Sequence, residues 1–347
     1  MSRKLFEEGG PLRITPTGPD QYTMSITIPP DELGFIGREC PNNACSLAYF
    51  KVKLGTGVTE GQVVAYCPYC RHADEPSDFA TKEQIRYAKD TVIQEAHKGI
   101  SGVIEEAFGL GPTRKKKIGG GLISVEISYK PGTLPPLRRP LEEELRRDIT
   151  CPRCGLEHAV FGLAIWCPDC GSDIFPVHVR AEYEVIKKML RDIPRRREMF
   201  GARLAARDIE NALEDSVSLF EAVLRAVTRR KMRENGHTDA ETDTLMKKIG
   251  NGYQSIARAT NLCQELLDID LTSGISEEEA EFLTTVFEKR HPITHNLGIL
   301  DRKYLDRVRS GELEGRDIPV TTEEVERSLD LSLRIIINLH EVLFKNV

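Results

Sequence analysis

No stretch of this 347-residue chain approaches the roughly 20 consecutive apolar residues that span a bilayer. The opening residues, MSRKLFEEGG, lack the apolar core of a secretory signal. Both absences lead us to expect a cytoplasmic protein with no membrane partner. Positive charge is not in excess either. The net charge is −6, so no global field draws nucleic acid in, and any such contact must come from a local patch. Basic runs at 114–117, 138–139, 195–197 and 229–231 offer such patches, although a solvated surface is the plainer account of any one of them. No HExxH or H-x-E arrangement accompanies the cysteines, which argues against a zinc hydrolase or deaminase. Aromatic residues are sparse, with a single tryptophan, Trp166.

Cysteine is what the chain does have. Of nine, eight fall in four close pairs: Cys40 with Cys45, Cys67 with Cys70, Cys151 with Cys154, and Cys167 with Cys170. In a reducing compartment this pattern favours metal over disulfides. A two-residue gap lets both sulfurs of a knuckle turn toward one ion, and two knuckles complete a tetrahedral site of four sulfurs. We therefore expect two zinc ribbons, each holding one structural Zn2+ with no open coordination position. His72 and His158 lie near the knuckles and are alternative ligands. Cys263, alone in a helical segment, reads as a small core residue. Trp166 directly precedes Cys167, where it either props the ribbon or stacks a base.

Hydrophobic periodicity divides the chain. Residues 21–28 alternate, as in a half-buried strand, and 123–129 do the same through Ile123, Val125, Ile127 and Tyr129. Between them Ile85, Ala88, Val92, Ala96, Ile100 and Ile104 recur at helical steps. Residues 131–140, PGTLPPLRRP, read as a linker or extended arm. Beyond about residue 177 amphipathic helices follow one another, over 180–192, 198–233, 251–267, 276–290 and from 321 to the end. The fold class expected is α+β and multidomain. A β-rich domain with the first ribbon occupies 1–80, and a helix, strand and proline-rich linker occupy 81–150. The second ribbon is 151–176, and an all-α bundle is 177–347.

Within the bundle, EKRHPITHN at 288–296 gathers Arg290, His291, His295 and Asn296 around Pro292. Proline ends or kinks a helix, so the helix before it should break near Lys289 and Arg290, with HPITHN a turn or a new helix carrying Pro292 in its first turn. The five-residue spacing from Arg290 to His295 means little alone, since Arg153 and His158 repeat it inside the second ribbon. The setting means more, because polar side chains at a break in a rigid bundle are well placed for a site. His295 can take a proton from a ribose 2′-hydroxyl or give one to a leaving 5′-oxygen. Arg290 can meet phosphate charge, while His291 and Asn296 orient the phosphate or the imidazole. A helix-capping role paired with acids such as Glu288 is the plainer alternative.

An all-α bundle with Arg290, His291 and His295 in this order, followed by Asn296, Gly298 and a KYL segment, resembles the HEPN superfamily of helical ribonucleases and nucleotide-binding domains. That family's motif is arginine, four to six residues, then histidine, with a polar residue directly after the arginine. The resemblance covers roughly 180–347 and leaves the ribbons outside it. It implies a homodimer through the helical domain, with the two motifs meeting in a composite site. It also implies metal-independent endoribonuclease action on RNA in defence or toxin systems, including antiviral defence, and leaves room for a protein regulator. The competing expectation is a non-catalytic zinc-ribbon adaptor that binds nucleic acid or protein and dimerises through its helices.

Overall fold

The computed structural model describes residues 12–18, 21–45, 48–58, 61–110, 115–118, 125–129, 146–308, 311 and 313–344. The proline-rich arm at 131–140, with its arginines 138 and 139, lies outside them, as does Ile123 of the second alternating segment. The chain forms two compact units. The first comprises Met1–Gly162 with Trp166–Ser172, and the second Leu163–Ile165 with Asp173–Val347. Small β-sheets with two cysteine clusters make up the N-terminal part and helices the C-terminal part, the α+β layout the sequence leads one to expect.

In the first unit, β1 (Leu12–Gly18) and β2 (Gln21–Ile26) form an antiparallel hairpin. The strands β3 (Phe35–Glu39) and β4 (Tyr49–Lys53) form the next one. Two short strands follow, β5 (Ala65–Tyr66) and β6 (Ala73–Asp74). The helix α1 (Lys82–Ala107) starts where Thr81 and Gln84 close a reciprocal capping box, satisfying two of the orphan N–H groups of its first turn. The strands β7 (Lys115–Ile118) and β8 (Val125–Ser128) pair with each other. The last two strands of the unit are β9 (Arg147–Thr150) and β10 (Glu157–Val160).

Cysteine spacing does not predict how the ribbons associate. The strands of both ribbons join in one four-stranded sheet of order β3-β4-β10-β9, with β4 antiparallel to β10 and Ala159 opposite Lys51. The knuckles also pair: the Tyr66 N–H donates to the Pro168 carbonyl at 2.8 Å, and the Trp166 N–H to the Pro68 carbonyl at 3.1 Å. The two ribbons are thus related by an approximate two-fold, reflected in the sequence by AYCPYC at 65–70 and IWCPDC at 165–170. Lys51, almost wholly buried at the sheet centre, donates to Asp31 at 3.0 Å, as a buried ammonium requires.

In the second unit α2 (Phe175–Arg191), α4 (Ala202–Glu234) and α10 (Thr322–Phe344) pack against one another. Between α2 and α4 runs α3 (Ile193–Phe200), ended by Gly201 at φ 89°, a left-handed conformation that glycine adopts without penalty. The stripe Ile209, Leu213, Val217, Phe220, Leu224 and Val227 repeats at three- and four-residue steps, which puts it on one buried face of α4. Tyr183, Leu190, Leu329, Ile336 and Leu339 fill the opposing faces, and each such buried side chain contributes roughly 1.5–3 kcal/mol of apolar transfer. After α4 come α5 (Asp239–Ile249), α6 (Ile256–Leu267) and α7 (Glu277–Glu288). Two short helices, α8 (Arg290–Asn296) and α9 (Arg302–Arg307), precede α10. Capping boxes at Thr238 with Glu241, Ser276 with Glu279, and Thr321 with Glu324 set the starts of α5, α7 and α10. Among the described residues no helix is long and apolar enough to cross a membrane.

Candidate metal centres and the Arg290 to Asn296 segment

The eight paired cysteines converge as two groups of four, Cys40, Cys45, Cys67 and Cys70, and Cys151, Cys154, Cys167 and Cys170. Three of the four knuckles close alike. The Cys67 amide donates to the His72 carbonyl and the Arg71 amide to the Cys67 carbonyl. The pairs Cys151 to Leu156 with Gly155 to Cys151, and Cys167 to Ser172 with Gly171 to Cys167, repeat that pattern. The residue after the second cysteine carries positive φ each time, 76° at Gly155, 62° at Gly171 and 62° at Arg71. Glycine suits that conformation, so Arg71 is the strained member. The knuckle with the longer gap is built differently, its Cys45 amide donating to the Asn42 carbonyl.

Sulfur separations of 3.7 Å for Cys40–Cys70 and Cys45–Cys67 are matched by 3.8 Å for Cys151–Cys170 and 3.6 Å for Cys154–Cys167. A regular tetrahedron with such edges has its centre about 2.3 Å from each corner, a thiolate–metal bond length. Each cluster can therefore hold one metal ion. Electrostatics point the same way. Burial pushes the thiols of Cys40 and Cys154 up to about 12. The hydrogen bond that the Cys67 thiol donates to Cys45, ahead of burial, drives Cys67 up as well, while the bonds that Cys70 accepts from Cys45 and Cys67 hold it down to about 2. Crowded sulfurs share protons unevenly until a cation displaces them. The Ser172 hydroxyl lies 3.0 Å from the Cys170 sulfur, outside the ligand set.

Neither histidine near the knuckles belongs to a cluster. His72 faces Asp74 at 3.4 Å, and His158 is buried in β10 near the Leu156 carbonyl. Trp166 is buried, with the Arg71 guanidinium 4.1 Å from its ring centre, an arrangement that suits a prop better than a platform for a base. Cys263 is buried in α6, among the core residues.

Two of the basic runs are engaged in ion pairs. Arg195 meets Asp192 and Arg196 meets Asp208, both at 2.6 Å, while Arg229 meets Asp243 at 2.6 Å and Arg230 meets Asp173 at 2.5 Å. Such pairing lowers the local positive field that a nucleic-acid patch would need.

The EKRHPITHN stretch forms the second of the two expected shapes. α7 ends at Glu288, Lys289 makes the break, and α8 begins at Arg290 with Pro292 in its first turn, where a missing N–H costs little. Buried Lys289 fixes the break by donating to the Pro319 carbonyl at 2.6 Å and to Glu324 at 2.8 Å. Leu297 closes α8 in the left-handed region, and the Gly298 N–H donates to the Pro292 carbonyl.

On this frame Arg290 is half-buried, its Nη1 donating at 2.8 Å to Gln254, whose amide in turn donates to Glu221 at 2.6 Å. His295 and Asn296 are exposed, and Asn296 donates to the Ile299 carbonyl at 2.7 Å. Positions five apart on a helix differ by about 140° in direction, so one copy of α8 turns Arg290 and His295 to different faces. His291 and His295, four apart, do meet, with ring centres 5.0 Å apart. Burial, followed by the charge of Lys303, pulls the His291 imidazole below its usual value, while Asp301, 3.8 Å away, opposes this. Sequence spacing gave no sign of Lys289 or Gln254 as supports. Only Asp301, as the N-cap of α9, carried any local signal.

No protein-family model, no curated protein and no solved structure matches this chain.

Proposed function

We propose that the protein is a metal-independent endoribonuclease of the HEPN type, with a structural Zn2+ in each four-cysteine cluster. The observation that carries this reading is the His291–His295 pair at a helix break anchored by Lys289 and Arg290. Two imidazoles 5.0 Å apart suit the two proton transfers of internal RNA cleavage. One accepts the proton of the ribose 2′-hydroxyl as that oxygen attacks the adjacent phosphorus, and the other protonates the departing 5′-oxygen. The products are a 2′,3′-cyclic phosphate and a 5′-hydroxyl. DNA lacks the attacking hydroxyl.

His291, whose imidazole burial pulls below its usual value, takes the accepting role, and His295 at the exposed end of α8 the donating one. A guanidinium beside the phosphate stabilises the charge gained in the transition state. Because α8 turns Arg290 away from His295, that guanidinium is supplied across a homodimer, each chain contributing half a site. The zinc ions act structurally, since four thiolates leave no coordination position for substrate and a β-module this small needs a staple. The ribbons then serve recognition of RNA or a regulator, in a cytoplasmic defence or toxin role.

Incubation of purified protein with total RNA in the presence of chelator, on a timescale over which the ribbons stay folded, tests this. Fragments ending in a 2′,3′-cyclic phosphate are expected. One observation favours a second reading. The bond from Arg290 to Gln254 ties α8 to the bundle, as a purely structural arginine would be tied. A non-catalytic adaptor that dimerises through its helices would bind nucleic acid or protein through the ribbons and leave the RNA intact.

A further inference from the structure

A cleft of about 310 Å³ opens on the first unit between the β3-β4 hairpin and the second ribbon's knuckle. Arg38 lines it from β3, directly across from Phe50 of β4, so the two side chains share a face of the sheet. Val52, Leu156 and Pro168 make further apolar wall, and Gln62 stands among the lining residues. The cleft's carboxylate, Asp169, is engaged by the Val58 N–H. Arg38 is half-buried, and among the described residues its only hydrogen bond is a 3.5 Å contact to the carbonyl of neighbouring Gly37. No carboxylate among the described residues pairs with it. A partly desolvated guanidinium without a counter-charge is costly, whereas Arg195, Arg196, Arg229 and Arg230 have each found an acid.

A fixed fork of donors facing a cleft matches a phosphate in geometry and charge. The volume is at the small end of small-molecule sites and suits one nucleotide rather than a strand. We propose that this cleft binds a single nucleotide through its phosphate, with Arg38 holding the phosphate and the apolar wall holding the nucleoside. The choice of a nucleotide over another organic anion rests on the ribonuclease reading. The source is either a free nucleoside monophosphate or the 5′-phosphorylated end of an RNA strand.

Calorimetric titration of the full-length, metal-loaded protein tests the proposal with uridine 5′-monophosphate, uridine, inorganic phosphate, and a tetraribonucleotide with and without a 5′-phosphate. Saturable binding of the monophosphate or the phosphorylated tetranucleotide is expected, with uridine silent. Whichever of the two binds more tightly identifies the source. Arg38→Gln should weaken binding tenfold or more while metal content and far-UV spectrum stay unchanged. Arg38→Lys, which keeps the charge without the fork, should fall between. Absence of binding by both phosphorylated probes, or equal binding by Arg38→Gln, overturns the proposal. So does loss of metal from Arg38→Gln, since Arg38 would then serve the nearby sulfur cluster as its counter-charge. RNA cleavage measured on the same variants separates the two readings. Failure here with cleavage intact leaves the catalytic assignment standing, and nucleotide binding without cleavage does the reverse.

Discussion

The backbone N–H of Trp166 donates to the carbonyl of Pro68 at 3.1 Å, one half of a reciprocal pair completed by Tyr66 and Pro168. Residues from the heart of one four-cysteine cluster thereby hold the other, and the shared sheet continues the link. The two centres should behave as one folding unit. Native mass spectrometry of the wild type is expected to show two zinc ions per chain. Cys167→Ser should remove more than one of them, because loss of the second knuckle withdraws hydrogen bonds from the first. Retention of a single ion, with the first ribbon intact, would argue for independent modules.

Arg230 is the hub of the helical unit. It donates to Asp173 at 2.5 Å and to Glu234 at 3.0 Å, and its guanidinium lies 3.7 Å from the centre of the Phe344 ring. His340 meets the same Asp173 at 3.1 Å and stacks on Phe175. Arg230→Met leaves a half-buried carboxylate short of its partner and should cost about 3 kcal/mol in denaturant unfolding. Burial raises the Asp173 carboxyl, but hydrogen bonds from His340 and Arg230 outweigh it and hold it below the usual range. A depressed carboxyl stabilises the fold above its unfolded value of about 3.9, and this contribution is lost as pH falls through the lower folded value. The wild type should therefore lose stability below pH ~4, and Arg230→Met should lose less over the same window.

His291 gives a second pH signature, of a different kind. With its folded value below about 6.5, its neutral form stabilises the fold above that pH, and the contribution disappears as pH drops through the folded value. An NMR titration should place its midpoint below that of a free histidine. Asp301→Asn should lower the midpoint further and Lys303→Gln should raise it. Shifts of the opposite sign would show that the surroundings of α8 are not those described.

A site divided between two chains can be rebuilt from two dead halves. Arg290→Ala and His295→Ala homodimers should each be inactive. Random mixing should restore about a quarter of wild-type cleavage, because half the dimers are hybrid and each hybrid has one intact site. No recovery on mixing would place the arginine and histidine in one chain, or remove the arginine from the chemistry.

Sequence legibility followed how local each feature is. The convergence of the cysteines in two groups of four was legible to the residue, because a knuckle is made by neighbours in the chain. The start of the last helix at Thr321 and the break at Lys289 were legible for the same reason, since Pro292 and the capping residues act within one turn. Joining two ribbons through β4 and β10 was not, because pairing Lys51 with Ala159 depends on contacts about a hundred residues apart. The α5 helix escaped notice, its apolar stripe being short and its face polar. At the candidate site, the sequence offered Arg290 and His295 as partners, whereas helix geometry brings His291 to His295 and gives Arg290 to Gln254.

The most direct test of the account is cleavage of RNA by His295→Ala, compared with wild type at equal dimer and zinc content. Loss of a general acid should lower the rate by roughly 10²–10⁴-fold, and the 2′,3′-cyclic phosphate ends should vanish with it. Undiminished cleavage by His295→Ala, or cleavage that leaves other termini, would contradict the assignment.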